Sequence, residues 1–210
     1  MKKLTPAILC MLSIAVYADV PDLVFVALDV ESTGFSPDRD RIIEIGAAKY
    51  RGGKIVKSTH WLINPGIPIK NSFVHGITDE QVAAYPGFAD TYKAFRAFAS
   101  DSILIAHNAS FDVRFMAAEI KRSGLEPMPN PTLNSLALFR CWYPAAPSHK
   151  LGELSAHLDI PVAIEHRAQD DSETLLRILN HGLKSRPSAT LEQIKADANG
   201  TYHFDGGRIE

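Results

Sequence analysis

Cysteine is nearly absent from this chain, which has two in 210 residues. Cys10 lies in an amino-terminal segment that we expect to be removed, and a single remaining cysteine, Cys141, cannot form an internal disulfide bond. A fold that depends on disulfide bonds is therefore excluded. Because Cys141 stands in the apolar stretch LALFRCWYP, we expect it to be a buried packing residue of a helix.

Basic residues do not outnumber acidic ones. The chain has 22 Lys and Arg against 24 Asp and Glu, which gives a formal net charge of −2. A strongly basic surface that attracts nucleic acid at long range is excluded, so a polyanionic substrate must be held locally. The sequence also has no G-x-S-x-G, no P-loop and no C-x-x-C, which removes the common motifs for nucleophilic, nucleotide-binding and redox chemistry.

Long apolar runs are limited to one short segment near the amino terminus. Two lysines precede an apolar run over residues 7–16, and small residues follow up to Ala18. This pattern is typical of a secretory signal peptide, here residues 1–18, with cleavage after Ala18 and a periplasmic or secreted mature protein. The run is too short to span a bilayer, so we expect no membrane association of the mature form. The alternative is a mis-set start codon, since translation from Met11 would give a cytoplasmic protein.

The remaining sequence predicts one α/β domain over residues 19–185. Alternation of apolar residues and turn residues predicts four strands, and the second and third are joined in a hairpin at residues 51–53. The predicted strands are 23–30, 41–50, 54–63 and 102–106, and the longer predicted helices are 92–100, 111–123, 133–143, 151–158 and 167–183. An antiparallel hairpin extended by βα units gives a mixed sheet, with antiparallel and parallel strands, flanked by helices. Residues 186–210 are predicted to be a carboxy-terminal extension of unknown role, a helix followed by a hairpin.

Two carboxylates interrupt the first apolar strand near its end, in the stretch VFVALDVESTGF. Asp29 and Glu31 are two residues apart, so their side chains point to the same face of the strand. Like charges this close to an apolar core repel each other unless a cation lies between them. A divalent metal ion is therefore the expected partner.

Two further stretches place acidic residues beside apolar structure. Asp112 opens a helix in AHNASFD, and His166 and Asp171 lead into the last long helix in EHRAQDDSETL. Taken singly, each has an ordinary explanation as a helix cap, a solvated helix start or a structural histidine. Taken together with the strand acids, they supply four carboxylates and one base, which suits phosphoryl transfer with two Mg²⁺ or Mn²⁺ ions.

The motifs LDVESTGF, FVHGIT, AHNASFD and HRAQDD, in this order, resemble those of the DEDDh 3′–5′ exonucleases, the DnaQ-like family. The likeness is greatest to the proofreading exonuclease of bacterial replicative DNA polymerases, and it covers about residues 23–183. It implies an RNase H-like fold and hydrolysis of the 3′-terminal phosphodiester to 5′-mononucleotides. It also implies that Asp29, Glu31, Asp112 and Asp171 bind two divalent cations, that Glu31 helps to hold the attacking water, and that His166 is the general base.

The same resemblance implies a set of substrate contacts. The residues after the first acid pair would face the terminal nucleotide, and the second motif would line the same cleft. The implied contacts are Ser32, Thr33, Gly34, Phe35, His75, His107, Asn108 and Phe111. For Phe35 and for Phe73, stacking on a base and packing in the core are equally good interpretations.

The expected partner is a nucleic acid with a 3′ end, single-stranded DNA or a short oligonucleotide, with DNA favoured over RNA; no protein partner is indicated. An exported enzyme would not be a proofreader, because no replication fork exists outside the cytosol. The alternatives are a cytosolic proofreading or repair exonuclease, if the start codon is mis-set, and an oligoribonuclease-like enzyme that recognises the 2′-OH of RNA. Outside this class stand a nucleic-acid-binding module without catalysis and a metal-dependent phosphatase of small substrates.

Overall fold

The computed structural model describes residues 23–161 and 167–205, so the predicted signal segment and the predicted base His166 lie outside the described residues. The described residues form one sheet with helices on both of its faces. The strands are β1 (Phe25–Ser32), β2 (Ile42–Arg51), β3 (Lys54–Leu62), β4 (Ile103–Ala106), β5 (Thr132–Asn134) and β6 (Thr201–Tyr202). The helices are α1 (Ser72–His75), α2 (Asp79–Val82), α3 (Phe88–Ala99), α4 (Ser110–Arg122), α5 (Ser135–Trp142), α6 (Leu151–His157), α7 (Ala168–Lys184) and α8 (Leu191–Asp197).

The sheet is mixed, as predicted, with the strand order β3-β2-β1-β4-β5-β6. β1, β2 and β3 pair antiparallel, whereas β4 pairs parallel with both β1 and β5. Gly52 and Gly53 join β2 to β3 with φ angles of +58° and +81°, a left-handed conformation that residues without a Cβ adopt without strain. The RNase H-like arrangement of an antiparallel hairpin extended by parallel strands is confirmed.

The carboxy-terminal residues complete the sheet. Strand β5 was not predicted, since the helix expected over 133–143 begins only at Ser135, and β6 pairs antiparallel with β5. Strands of three and two residues carry too little alternation to be recognised in a sequence. Helix α8 packs on α5, where the indole N–H of Trp142 donates to the carboxylate of Asp197 at 2.8 Å. The predicted helix of the extension is therefore present, and Thr201–Tyr202 supply an edge strand of the domain. The expected hairpin extends into residues 206–210, which lie outside the described residues.

Cys141 is exposed, so the expectation of a buried packing cysteine was wrong. Helix α5 buries Leu138, Phe139 and Trp142 against the sheet, and Cys141 lies two residues beyond Phe139, on the opposite side of the helical turn. The apolar appearance of this stretch concealed that one residue faces solvent.

The two faces of the sheet belong to different helices. Phe25 and Ala27 of β1 point to a core formed with α5, α6, α7 and α8, whereas Val26 and Leu28 point to a core formed with α3 and α4. Continued alternation places Asp29 on the α7 side of the sheet. No helix within residues 23–161 and 167–205 is long and apolar enough to cross a membrane.

Candidate active site

Three of the predicted metal ligands converge at the amino-terminal end of α7. Asp29 and Glu31 come from the last residues of β1, and Asp171 comes from the first turn of α7. Their carboxylates offer oxygen atoms that all lie within 4.8 Å of one another. The chain thus brings together acids that the sequence holds far apart.

Close packing of α7 against β2 fixes this convergence. Gly46 of β2 lies so near the helix start that a Cβ added there would be 2.0 Å from the carbonyl carbon of Ala168 and 2.3 Å from the amide nitrogen of Gln169. In the register of the sheet, Gly46 is the partner of Asp29. A glycine is therefore required where the helix start approaches the strand pair that carries the acids.

Asp112 adjoins the cluster from the opposite face of the sheet. It lies in the first turn of α4, is 2% exposed, and accepts a hydrogen bond from the backbone N–H of Val30 at 3.1 Å. Burial raises the pKa of Asp112 to about 8, although the Val30 bond and its own backbone amide act in the other direction. The charge of Asp112 is, after burial, the largest factor that raises the pKa of Asp29.

The electrostatics of the cluster favour a bound cation. Burial raises the pKa of Asp29 well above its usual range, and the charges of Asp112, Asp171 and Glu31 raise it further. Burial, followed by the charge of Glu44, raises the pKa of Glu31 to about 8. These carboxylates repel one another, and all of their ligand atoms are oxygens, which Mg²⁺ and Mn²⁺ prefer. The residues present therefore fit divalent cations, although the assignment of each as a ligand stays a prediction.

A buried ion pair beside the cluster was missed in the sequence. Glu44 of β2 is fully buried and is the register partner of Glu31. Its carboxylate accepts from Arg167 Nη2 at 3.0 Å and from the backbone N–H of Ala168 at 3.3 Å. The signals were a lone acid in the apolar stretch IIEIGAA and the arginine next to His166. Because 123 residues separate Arg167 from Glu44, no local pattern joins them.

The loop after β1 holds itself together through its polar groups. The Ser32 hydroxyl donates to the Gly34 carbonyl at 2.6 Å, and the Thr33 hydroxyl donates to Asp40 at 3.3 Å. A Cβ on Gly34 would lie 2.5 Å from the Asp40 carboxylate. Of the four substrate contacts predicted here, only Phe35 presents an exposed side chain, at 84%. Asp40 organises this loop and was not singled out in the sequence.

The second motif lies at an open cavity of about 820 Å³ that also reaches Asp29 and Asp171. His107 and Asn108 line this cavity. His107 Nδ1 lies 3.0 Å from the Ser135 hydroxyl, and burial lowers the pKa of His107 to about 4, so its ring is neutral at ordinary pH. Phe111, the last predicted contact of this motif, is half-buried with its ring centroid 4.7 Å from that of Phe115. The structure thus places His107 and Asn108 beside the acids.

His75 and Phe73 occupy contrasting positions in α1. His75 is only 4% exposed, and its Nδ1 accepts from the backbone N–H of Ile77 at 3.1 Å. Its role as a substrate contact stays a prediction. Phe73 is 87% exposed, and Phe35 is similarly open, so packing in the core is excluded for both rings. Both are available to stack on bases.

Comparison with known proteins agrees with this geometry. The exonuclease family RNase_T matches residues 26–179, which is most of the chain. The chain belongs to this exonuclease family. The motifs, the fold and the family match together make it a DnaQ-like 3′–5′ exonuclease domain of the RNase H-like superfamily.

Similar sequences include DNA polymerase III PolC-type of Bacillus cereus, 36% identical over 162 residues, and that of Bacillus subtilis, 37% identical over 163 residues. Each match covers 76% of this chain but only 11% of the polymerase, so the chain spans a small part of these relatives.

Two solved structures are similar over most of the chain. Exonuclease X in complex with 5′ overhanging duplex DNA has a TM-score of 0.69 and 25% identity, with 83% of this chain and 99% of that one covered. The nuclease domain of 3′hExo, a DEDDh family member bound to rAMP, has a TM-score of 0.70 at 19% identity, with 80% and 95% covered. The second likeness shows the shared fold.

Proposed function

We propose that this protein is a metal-dependent 3′–5′ exonuclease that releases 5′-mononucleotides from single-stranded DNA or short oligonucleotides. The observation that carries the proposal is the convergence of Asp29, Glu31 and Asp171 within 4.8 Å at the edge of an open cavity, with Asp112 adjoining. Such a cluster repels itself without cations, and carboxylates around paired divalent ions are a recurring arrangement for phosphodiester hydrolysis.

The four acids would hold two Mg²⁺ or Mn²⁺ ions, which would stabilise the charge that develops on the attacking and leaving oxygens. Side chains of the protein would orient the attacking water, accept its proton and contact the substrate. Glu31 accepts a hydrogen bond from the attacking water and orients it, and His166 takes the proton from that water. His107, which is neutral and lines the cavity, lies beside the bound substrate. The exposed ring of Phe35 stacks on the terminal base.

DNA is the proposed substrate because the similar polymerases are DNA polymerases and the Exonuclease X structure contains DNA. RNA is the second candidate, since 3′hExo is bound to rAMP. The two differ in the 2′-OH, so a direct comparison of matched strands decides between them.

We further propose that the protein is exported, because residues 1–18 resemble a signal peptide. Sequencing of the mature amino terminus tests this proposal. A chain that starts at residue 19 supports it, and a start at Met11 contradicts it.

The experiment uses protein from residue 19 onward with 5′-labelled single strands of DNA and RNA in Mg²⁺ or Mn²⁺. We expect a ladder that shortens from the 3′ end and disappears with EDTA. Asp29→Ala and His166→Ala should abolish turnover, as should Asp171→Ala. Asp170→Ala is the matched control, since it removes an adjacent carboxylate outside the proposed ligand set. An unimpaired Asp29→Ala protein would refute the proposal.

A further inference from the structure

The cavity beside the acids is lined by both acidic and basic side chains. Asp29 and Asp171 contribute to its lining together with Arg140 of α5 and with residues 147–153, which include Lys150 and Glu153. Residues 32–35, which the proposed function places around the terminal nucleotide, are not part of its lining. A strand whose 3′ end sits at that loop would therefore continue across the acids and into this cavity.

Arg140 is available to bind an anion. Its side chain is exposed, and within residues 23–161 and 167–205 it has no ion-pair or hydrogen-bond partner. Arg167, at the start of α7 near the acids, is by contrast bound to Glu44. The charge of Arg140 acts on the cavity lining: after burial, it is one of the causes that lower the pKa of His107. The guanidinium N–H groups of Arg140 are therefore free to donate to an anion that enters the cavity.

Lys150 supplies a second cation. It lines the same cavity and pairs at 3.2 Å with Glu153, which also lines it, and the two side chains are 82% and 56% exposed. Such an exposed pair is weak and exchanges readily for another anion. His149 fixes the segment, since its Nε2 lies 3.1 Å from the carbonyl oxygen of Tyr143. The basic groups thus sit on an anchored part of the chain.

We infer that Arg140, assisted by Lys150, binds a backbone phosphate of the substrate strand on the 5′ side of the scissile bond. The inference rests on the proposed function. It explains how the site would bind a strand upstream of the terminal nucleotide, in addition to that nucleotide itself. A planar guanidinium donates two parallel hydrogen bonds to phosphate oxygens, so arginine suits this position better than lysine. Phosphate contacts carry no sequence information, which fits an enzyme that must advance along any sequence.

The test compares Arg140→Gln with Arg51→Gln, which makes the same change at the exposed β2–β3 turn. Binding of a fluorescent single strand is measured by anisotropy in EDTA, where hydrolysis does not interfere, at several salt concentrations. We expect Arg140→Gln to weaken binding about tenfold and to flatten the slope of log K against log salt by about 0.7. Arg140→Lys should keep the slope while it loses part of the affinity.

Kinetics provide a second readout. The p-nitrophenyl ester of thymidine 5′-monophosphate has a scissile phosphate but no phosphate further along, so it does not reach Arg140. The ratio of kcat/KM for a strand to kcat/KM for the ester should fall about tenfold in Arg140→Gln, mainly through KM, and should not change in Arg51→Gln. Equal losses on both substrates, or an Arg140→Gln protein that matches Arg51→Gln in affinity and salt slope, would overturn the inference. A wild-type protein that hydrolyses neither substrate overturns the proposed function instead, and the salt slope still decides the role of Arg140.

Discussion

Replacing Gly46 with alanine tests whether close packing of β2 against α7 sets the geometry of the acids. The new Cβ would lie 2.0 Å from the carbonyl carbon of Ala168 and 2.3 Å from the amide nitrogen of Gln169, whereas ordinary contacts begin at 3.4 Å. Both atoms belong to the backbone, so no side chain can turn away. The start of α7 must move by more than 1 Å, and Asp171 moves with it.

Two magnitudes follow from this displacement. Overpacking of a filled site costs about 1–3 kcal/mol, so the protein should still fold with a lower melting temperature. A catalytic group displaced by about 1 Å costs about 100-fold in rate. We therefore expect Gly46→Ala to lose about 100-fold in kcat on a labelled strand, far more than its loss of stability explains.

The assay measures kcat, the melting temperature and the affinity for Mn²⁺ by calorimetry. Gly87→Ala is the control, because a Cβ there meets no atom within 4 Å. It should match the wild type in all three. If Gly46→Ala folds and retains wild-type kcat and Mn²⁺ affinity, then the approach of α7 to β2 does not determine where Asp171 stands, and the reasoning fails.

Three further outcomes are expected. The pKa values of Asp112 and Glu31 are about 8 in the fold and lower in the unfolded chain, so the metal-free protein should lose stability as pH rises from about 4 to about 8. Mg²⁺ should therefore raise the melting temperature more at pH 8 than at pH 5, and an equal rise would contradict this. Glu44→Ala should cost about 3 kcal/mol in urea denaturation, near the low end for a broken buried pair because Arg167 is 39% exposed; a loss below about 1 kcal/mol would show that the pair is not stabilising. Leu179→Ala, at a fully buried position on the inner face of α7, should cost about 2–5 kcal/mol by the same measurement.

The acid pair of β1 illustrates what a sequence determines by itself. Alternation along a strand places Asp29 and Glu31 on one face without reference to any other part of the chain. The same local rules predicted the hairpin and the longer helices, since each depends on residues close in sequence, and the order of these elements along the chain then predicted a mixed sheet. The order of the four motifs then gave the family.

The tertiary structure alone decided how the acids are supported and what surrounds them. Glu44 meets Arg167 across 123 residues, and β5 becomes a strand only because β4 and β6 flank it. The proximity of Arg140 to the acids is apparent only in the fold, where α5 brings it to the cavity that Asp29 also lines. Local alternation is set by backbone geometry, whereas such pairings depend on which segments the buried core brings together, and that is a property of the whole fold.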